Sequence, residues 1–373
     1  DPKYVDSFEV DGWFFAPQMR KAHANGNMAY IPNHLHLACT KRLQFVKPNI
    51  YVGAASMPDK HGYVSLSLSN TYEKRMLEAA DLVILEVNPN MPYTLGDLQV
   101  PVSEVDYLVR ADYAPPVIPD APFSEKDAAI GKLIAEMVPD GSCIQLGIGG
   151  IPNAVAAALE QKNDLGVHTE MLTSGMMRLA KVGVINGKCK QTYRGKMVTT
   201  FAMGVPELYE FIDYNPAVAV MDGAWVNDPY VIAQNDNQVS INTSLEVDLT
   251  GQCASESLGS RQFSGTGGQS DTAVGAQMSK NGKSIIALYS TAMVKGPDGQ
   301  KQEVSKIVPQ LMPGAAVSLS RNDVDRVVTE YGVAELRGTS IRDRVARLIE
   351  IAHPKFREQL WDQAVEVGIL GRR

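Results

Sequence analysis

Glu170 closes a stretch whose residue types can support chemistry: residues 145–171 read QLGIGGIPNAVAAALEQKNDLGVHTEM. Gly147, Gly149 and Gly150 permit a tight turn, and Pro152 suits a first helical turn. Backbone amides and a helix N-terminus would then face an anionic or phosphorylated ligand, with one carboxylate nearby to do chemistry on it. A second glycine cluster, Gly265, Gly267 and Gly268 in FSGTGGQSD, offers further amides to an oxyanion or phosphate. Either loop alone also reads as an ordinary turn, because glycine is the default residue at positive φ. Two such loops together with Glu170 shift the balance toward a site. Neither fits GxxxxGK[ST], and Gly147, Gly149 and Pro152 do not complete GxGxxG, so a Walker-type nucleotide triphosphatase and an NAD-dependent dehydrogenase are both disfavoured.

Other reactive residues carry less. Glu86 and Glu330 also follow apolar strands, where a catalytic group, a helix cap and an ion pair fit equally well. His34 and His36 would share one face of a strand, but no Cys, His or acidic cluster completes a metal set, and no metal site is expected. His168 lies two residues before Glu170, on the same face of a regular strand, where packing is the default role and tuning of the carboxylate the alternative. Ser and His occur without a GxSxG elbow, which leaves a serine hydrolase unsupported.

Positioning the first loop against Glu170 needs a strand at 143–146, a helix from 153 to about 161 and a short strand at 167–171. Such a crossover is right-handed and makes the two strands parallel, which sets the loop and Glu170 at the same carboxyl edge of one sheet. Further strands are expected at 44–54, 62–67, 82–87, 197–200, 217–221, 284–289, 315–320 and 326–329. Helices are expected at 71–80, 128–137, 340–352 and 354–367. The linker DYAPPVIPDAPFSEK, 112–126, contains four prolines and divides the chain into an amino-terminal unit, 1–118, and a carboxy-terminal unit, 119–373. The grammar of strand, loop and helix repeats on both sides, an α/β pattern.

Bulk properties exclude classes of function. With 373 residues, 45% hydrophobic and 21% charged, the chain can bury a large core. A formal charge of -7 and the absence of a basic run give no attraction for nucleic acid. Cys39, Cys143, Cys189 and Cys253 are too dispersed for a disulfide scaffold. No apolar run spans a bilayer and no signal-peptide pattern is present, so a cytoplasmic setting, or the mitochondrial matrix after processing, is expected.

Taken together, QLGIGGIPNAV, GVHTEM, FSGTGGQSD, SKIVP, SRNDVDRVVTEYGVAELRG and IAHPKFR, with EVNPNMPYTLGD and MPDKHGYVSLSLS, resemble the acetyl-CoA hydrolase and CoA-transferase family, particularly its 4-hydroxybutyrate, butyrate and acetate branches. The resemblance runs over nearly the whole chain. It implies two related CoA-transferase-type α/β domains with the active-site cleft between them, and it puts the catalytic role on Glu170. It further implies CoA contacts at Gln145, Leu146, Gly147, Ile148, Gly149, Ser244 and Gly267; for the oxyanion of the tetrahedral adduct, the amides of Gly265, Gly267 and Gly268 are the candidate donors. Family members carry a further strand and helix region ahead of the position matching Asp1. The expected substrates are acyl-CoA and short-chain carboxylates, with no tightly bound cofactor, CoA serving as substrate and covalent intermediate, and a homodimer as the assembly. The expected reaction is acyl-CoA:carboxylate CoA transfer, with acyl-CoA hydrolysis or a non-catalytic CoA-binding subunit as alternatives.

Overall fold

Alternation of apolar residues shapes the amino-terminal part. Val83, Leu85 and Val87 are buried on one face of the strand Leu82–Val87 (β2), which lies between Ile50–Ala55 (β1) and Tyr107–Arg110 (β3) in a parallel three-stranded sheet. This is a computed structural model, and it describes residues 2–296 and 299–371. The expected strand at 44–54 starts late, at Ile50, because the turn that ends the helix Leu35–Leu43 and an irregular segment occupy its first residues.

Ser124 opens the carboxy-terminal part by capping the helix Glu125–Glu136 (α1): its hydroxyl accepts the Asp127 amide, and the Asp127 carboxylate accepts the Ser124 amide in return. A cap of this kind stabilises a helix by about 1 kcal/mol, which explains a start three residues ahead of expectation. Six strands follow as Cys143–Leu146 (β4), Gly166–Val167 (β5), Gln238–Thr243 (β6), Lys283–Ala287 (β7), Arg326–Thr329 (β8) and Gly332–Glu335 (β9). They lie in the order β9-β8-β7-β6-β4-β5, parallel throughout except between β8 and β9.

The structure corrects three expectations. β6 was not expected at all, since QVSINT carries polar residues where a buried parallel strand is normally apolar. Several of its polar groups find partners within the interior: the Ser240 hydroxyl donates to Gln145 Oε1 at 3.1 Å, and Gln238 Nε2 donates to the His168 carbonyl at 3.2 Å, while Gln238 Oε1 is buried without a partner. Residues 315–320 form no strand; Leu319 alone is fully buried, bridged to Cys253. The expected strand at 167–171 is broken, because β5 ends at Val167 and Met171–Leu172 pairs in a different sheet with Phe201–Ala202.

One buried apolar cluster runs from Ala55, Leu85 and Leu98 through Ile130, Ile144 and Leu172 to Val328, so the two sheets share a core. A second, around Val247, Ile286 and Val327, seats the final helices Ile341–Glu350 and Arg357–Glu366 through Leu348 and Leu360. Among the described residues no helix is long and apolar enough to cross a membrane.

Candidate active site

The sheet order reverses direction between β4 and β6. β4 leads to β5 on one side, and the chain then returns to β6 on the other, leaving a crevice beyond the carboxyl ends of β4 and β6 where open α/β sheets bind ligands. A cavity of about 300 Å3 occupies that crevice. Its walls include Leu146, Gly147 and Ile148 after β4, Ile241 to Thr243 from β6, the loop 264–269, and Glu170.

Glu170 sits at the break between β5 and Met171–Leu172, and its peptide is fixed from several directions. Its carbonyl accepts the amides of Thr200 at 3.0 Å and Phe201 at 3.2 Å and the Thr199 hydroxyl at 2.9 Å. Upstream, the buried Lys190 ammonium donates to the Val167 carbonyl at 2.7 Å and the Lys196 carbonyl at 2.8 Å, and a Cβ at Gly166 would stand 2.5 Å from the lysine's Cγ. The strand end therefore needs glycine to lie over that side chain.

The carboxylate is open only toward the cavity and enclosed elsewhere. Burial pushes its pKa up to about 7, and the nearby Asp271 carboxylate pushes in the same direction. Two hydrogen bonds oppose the rise: Asn227 Nδ2 donates to Glu170 Oε2 at 3.1 Å, and the Gly268 amide donates to the carboxylate. Asn227 is fully buried in the turn after the helix Gly223–Val226. Replacing Asn227 with Ala removes a donor to the ionised form, so the acid limb of the kcat/KM profile is expected to move up by about one pH unit. A pH profile with an unmoved limb would show that this bond does not set the ionisation.

The loop 263–268 is held at both ends. Glu256, almost fully buried, accepts the hydroxyls of Thr266 at 2.6 Å and Ser318 at 2.8 Å, and its carbonyl accepts the amides of Phe263 and Ser264. On the far side the helix Gln269–Met278 (α2) is tied to β6, with Gln269 Nε2 donating to the Thr243 carbonyl at 2.8 Å and the Ser240 and Thr272 hydroxyls in hydrogen-bond contact at 2.9 Å. Asp271, in the first turn of α2, accepts His36 Nδ1 at 2.8 Å and the His36 amide at 3.1 Å. Glycine is required at 268 for space: a Cβ there would overlap both the Glu170 carboxylate and the Asn227 amide.

The cavity thus brings together Glu170, Gln145, Leu146, Gly147, Ile148, Gly265, Gly267 and Gly268. Gly149, with φ 115, starts the helix Gly150–Ala158, three residues earlier than expected, and lines an adjoining cavity of about 260 Å3 that shares Ile148. Ser244 is turned away: its buried hydroxyl donates to the carbonyls of Glu246 at 2.9 Å and Ala254 at 3.0 Å, and Thr243 and Ser255 line the wall instead. His168 is also turned away from Glu170, in the packing role rather than the tuning one. The break after β5 ends the regular alternation, and the imidazole packs on Trp225 with Nε2 against the Val226 carbonyl at 2.8 Å. Burial pushes its pKa down to about 3, which keeps it neutral.

His34 and His36 do not share a strand either; His34 precedes, and His36 begins, the helix Leu35–Leu43. Glu86 accepts the Tyr113 hydroxyl at 2.9 Å, and Glu330 is locked by the Ser290 amide and hydroxyl and by Lys126. Sequence reasoning missed Asn227, Asp271 and Phe14, another cavity residue. Only Asp271 carried a usable signal, as the acidic residue closing the FSGTGGQSD motif.

Comparison with known proteins shows the family. The family model of the acetyl-CoA hydrolase/transferase N-terminal domain matches residues 1–119, and that of the acetyl-CoA hydrolase/transferase C-terminal domain matches 204–364. The chain is 50% identical to a 4-hydroxybutyrate coenzyme A transferase of Clostridium kluyveri, over 83% of this chain and 70% of the relative. It is 44% identical to a succinyl-CoA:cyclohexane-1-carboxylate CoA transferase of Geobacter metallireducens, over 95% of this chain and 80% of the relative. The crystal structure of RipA from Yersinia pestis superposes with a TM-score of 0.90 at 35% identity, covering 99% of this chain and 84% of that one.

Proposed function

This chain belongs to the acetyl-CoA hydrolase/transferase family, and from that premise we propose that it moves coenzyme A between short-chain carboxylic acids through a glutamyl-CoA thioester on Glu170. The observation that carries this reading is one carboxylate at the switch-point cavity, held by Asn227 and Gly268 and facing the glycine loop after β4.

Ionised Glu170 attacks the thioester carbonyl of an acyl-CoA, and collapse of the tetrahedral adduct expels CoA thiolate and leaves an acyl-glutamyl anhydride. The thiolate attacks the glutamyl carbonyl, forming glutamyl-CoA and releasing the first acid as its carboxylate. An incoming carboxylate attacks that thioester, the thiolate leaves again, and its return to the new acyl carbonyl yields the product thioester and free Glu170. A carboxylate is a weak nucleophile in water, and alignment in favourable intramolecular cases supplies about 7 to 11 kcal/mol. The amides of Gly265, Gly267 and Gly268 are assigned to the oxyanion, and the loop from Gln145 to Gly149 to CoA. Ser244 serves as a support of the wall behind Thr243.

Borohydride treatment in the presence of acyl-CoA, followed by peptide mass spectrometry, tests the intermediate. Reduction is expected at Glu170 alone, and addition of acetate before the borohydride is expected to diminish it while thioester is conserved in a new acyl-CoA. An active preparation with Glu170 unmodified would overturn the covalent route. Stoichiometric release of free thiol without any acceptor acid would instead favour hydrolysis.

A further inference from the structure

Among the described residues, the cavity around Glu170 is walled by residues after position 118 with one exception, Phe14. Its ring rests on the catalytic loop: a Cβ at Gly265 would lie 2.9 Å from Phe14 Cδ2, and one at Gly267 would lie 3.9 Å from Phe14 Cε2 and 3.5 Å from Glu170 Oε1. The segment that carries it grips the same loop along its length. Arg20 Nε donates to the Phe263 carbonyl at 2.8 Å, with the guanidinium 3.9 Å from the Phe263 ring centre; the Thr266 amide donates to Tyr30 Oη at 3.2 Å; and His36 pairs with Asp271. This ring is not the buried anchor of its segment. Phe15, 1% exposed, is the buried anchor of the segment, and Trp13 packs edge-on against Tyr72 at 4.6 Å, whereas Phe14 remains 50% exposed at the cavity mouth.

We propose that Phe14 is the water-excluding wall of the Glu170 cavity and a specificity residue for the acyl chain, delivered by an amino-terminal segment that clasps the catalytic loop. The proposal rests on Glu170 as the nucleophile. Glutamyl-CoA can meet a carboxylate or a water molecule. Water attack on its carbonyl expels CoA thiolate; one proton of that water passes to the thiolate and the other to solvent as the Glu170 carboxylate is regenerated, so each such event wastes a thioester. An aromatic ring beside Gly265 and Gly267 occupies the space from which water would approach, and its removal also enlarges the volume open to the acid.

The test compares wild type, Phe14→Ala and the more conservative Phe14→Leu, with acyl-CoA and a series of straight-chain carboxylates. Thiol release without acceptor reports hydrolysis, and formation of the second acyl-CoA reports transfer. Phe14→Ala is expected to raise the ratio of hydrolysis to transfer about tenfold and to move the kcat/KM optimum to longer acids, the scale of change that a few methylenes of pocket volume produce. Phe14→Leu is expected to restore most of both properties, and it carries the test by itself if the alanine protein does not fold. A wild-type ratio and chain-length profile in the folded variants would overturn the proposal. Absence of the borohydride adduct on wild-type Glu170 would instead overturn the covalent reading, independently of the ratio.

Discussion

Glu170→Gln is expected to lose transfer by at least about 10^4-fold while gaining stability above neutral pH. Both effects come from the enclosure of the carboxylate. Gln keeps the shape but has no anionic oxygen to attack a thioester. In the folded protein the Glu170 pKa rises from an ordinary 4.5 to about 7, so the fold favours the protonated form. A group with a raised folded pKa contributes its full stability below the unfolded value, and that contribution is lost as pH climbs through the folded one. Between pH 4.5 and 7 the wild type therefore loses stability that the Gln variant does not. The limit is about 3 kcal/mol at pH 8, since a tenfold change in the ionisation equilibrium is worth about 1.4 kcal/mol and the opening to the cavity reduces the effect. Urea unfolding at pH 4 and pH 8 checks it: the two proteins should coincide at the lower pH and separate at the higher. Equal midpoints at pH 8 would show that the carboxylate is not desolvated. The activity of the wild type should rise about tenfold per pH unit below neutrality and level off above it.

Gly268→Ala is expected to reduce kcat by about 10^2 to 10^3-fold, the scale of losing one oriented donor or misplacing a reacting group by an ångström. The backbone itself tolerates alanine, with φ -98 and ψ 13. The penalty is steric and local: the added methyl group occupies the space of the Glu170 carboxylate and the Asn227 amide, and one of them must move. The Gln145–Gly149 loop is not touched, so affinity for CoA should stay within a few-fold of wild type, a split between kcat and binding that separates a catalytic defect from unfolding. Calorimetric titration with CoA beside steady-state kinetics gives both numbers. Unchanged kcat would mean that Glu170 is not the reacting group or that the site rearranges freely around it.

Much of the site was legible because it lies in local motifs. Strand, glycine loop and helix over residues 143–158, and the parallel return to Gly166, follow from short-range rules of turn residues, helix starts and crossover handedness. What escaped did so for identifiable reasons. β6 is polar because its neighbours supply hydrogen bonds, and a hydropathy pattern does not see partners that lie 32 or 95 residues away. The alternative that placed His168 beside Glu170 fails because alternation along a strand holds only while the strand continues, and this one stops at Val167. Asn227 follows a four-residue helix, with no composition that sets it apart from any turn.

The sequence by itself determined the chemical inventory: a single carboxylate at the end of a crossover, two clusters of glycine amides, and a resemblance that joins them into one reaction. Tertiary structure decided which groups meet. The switch point exists only once β6 lies beside β4, and the raised pKa of Glu170 exists only once packing buries its carboxylate and brings Asp271 near it. Phe14 reaches the catalytic loop across about two-thirds of the chain. Inventory is local, whereas desolvation, charge proximity and water exclusion are properties of space that residues acquire on packing.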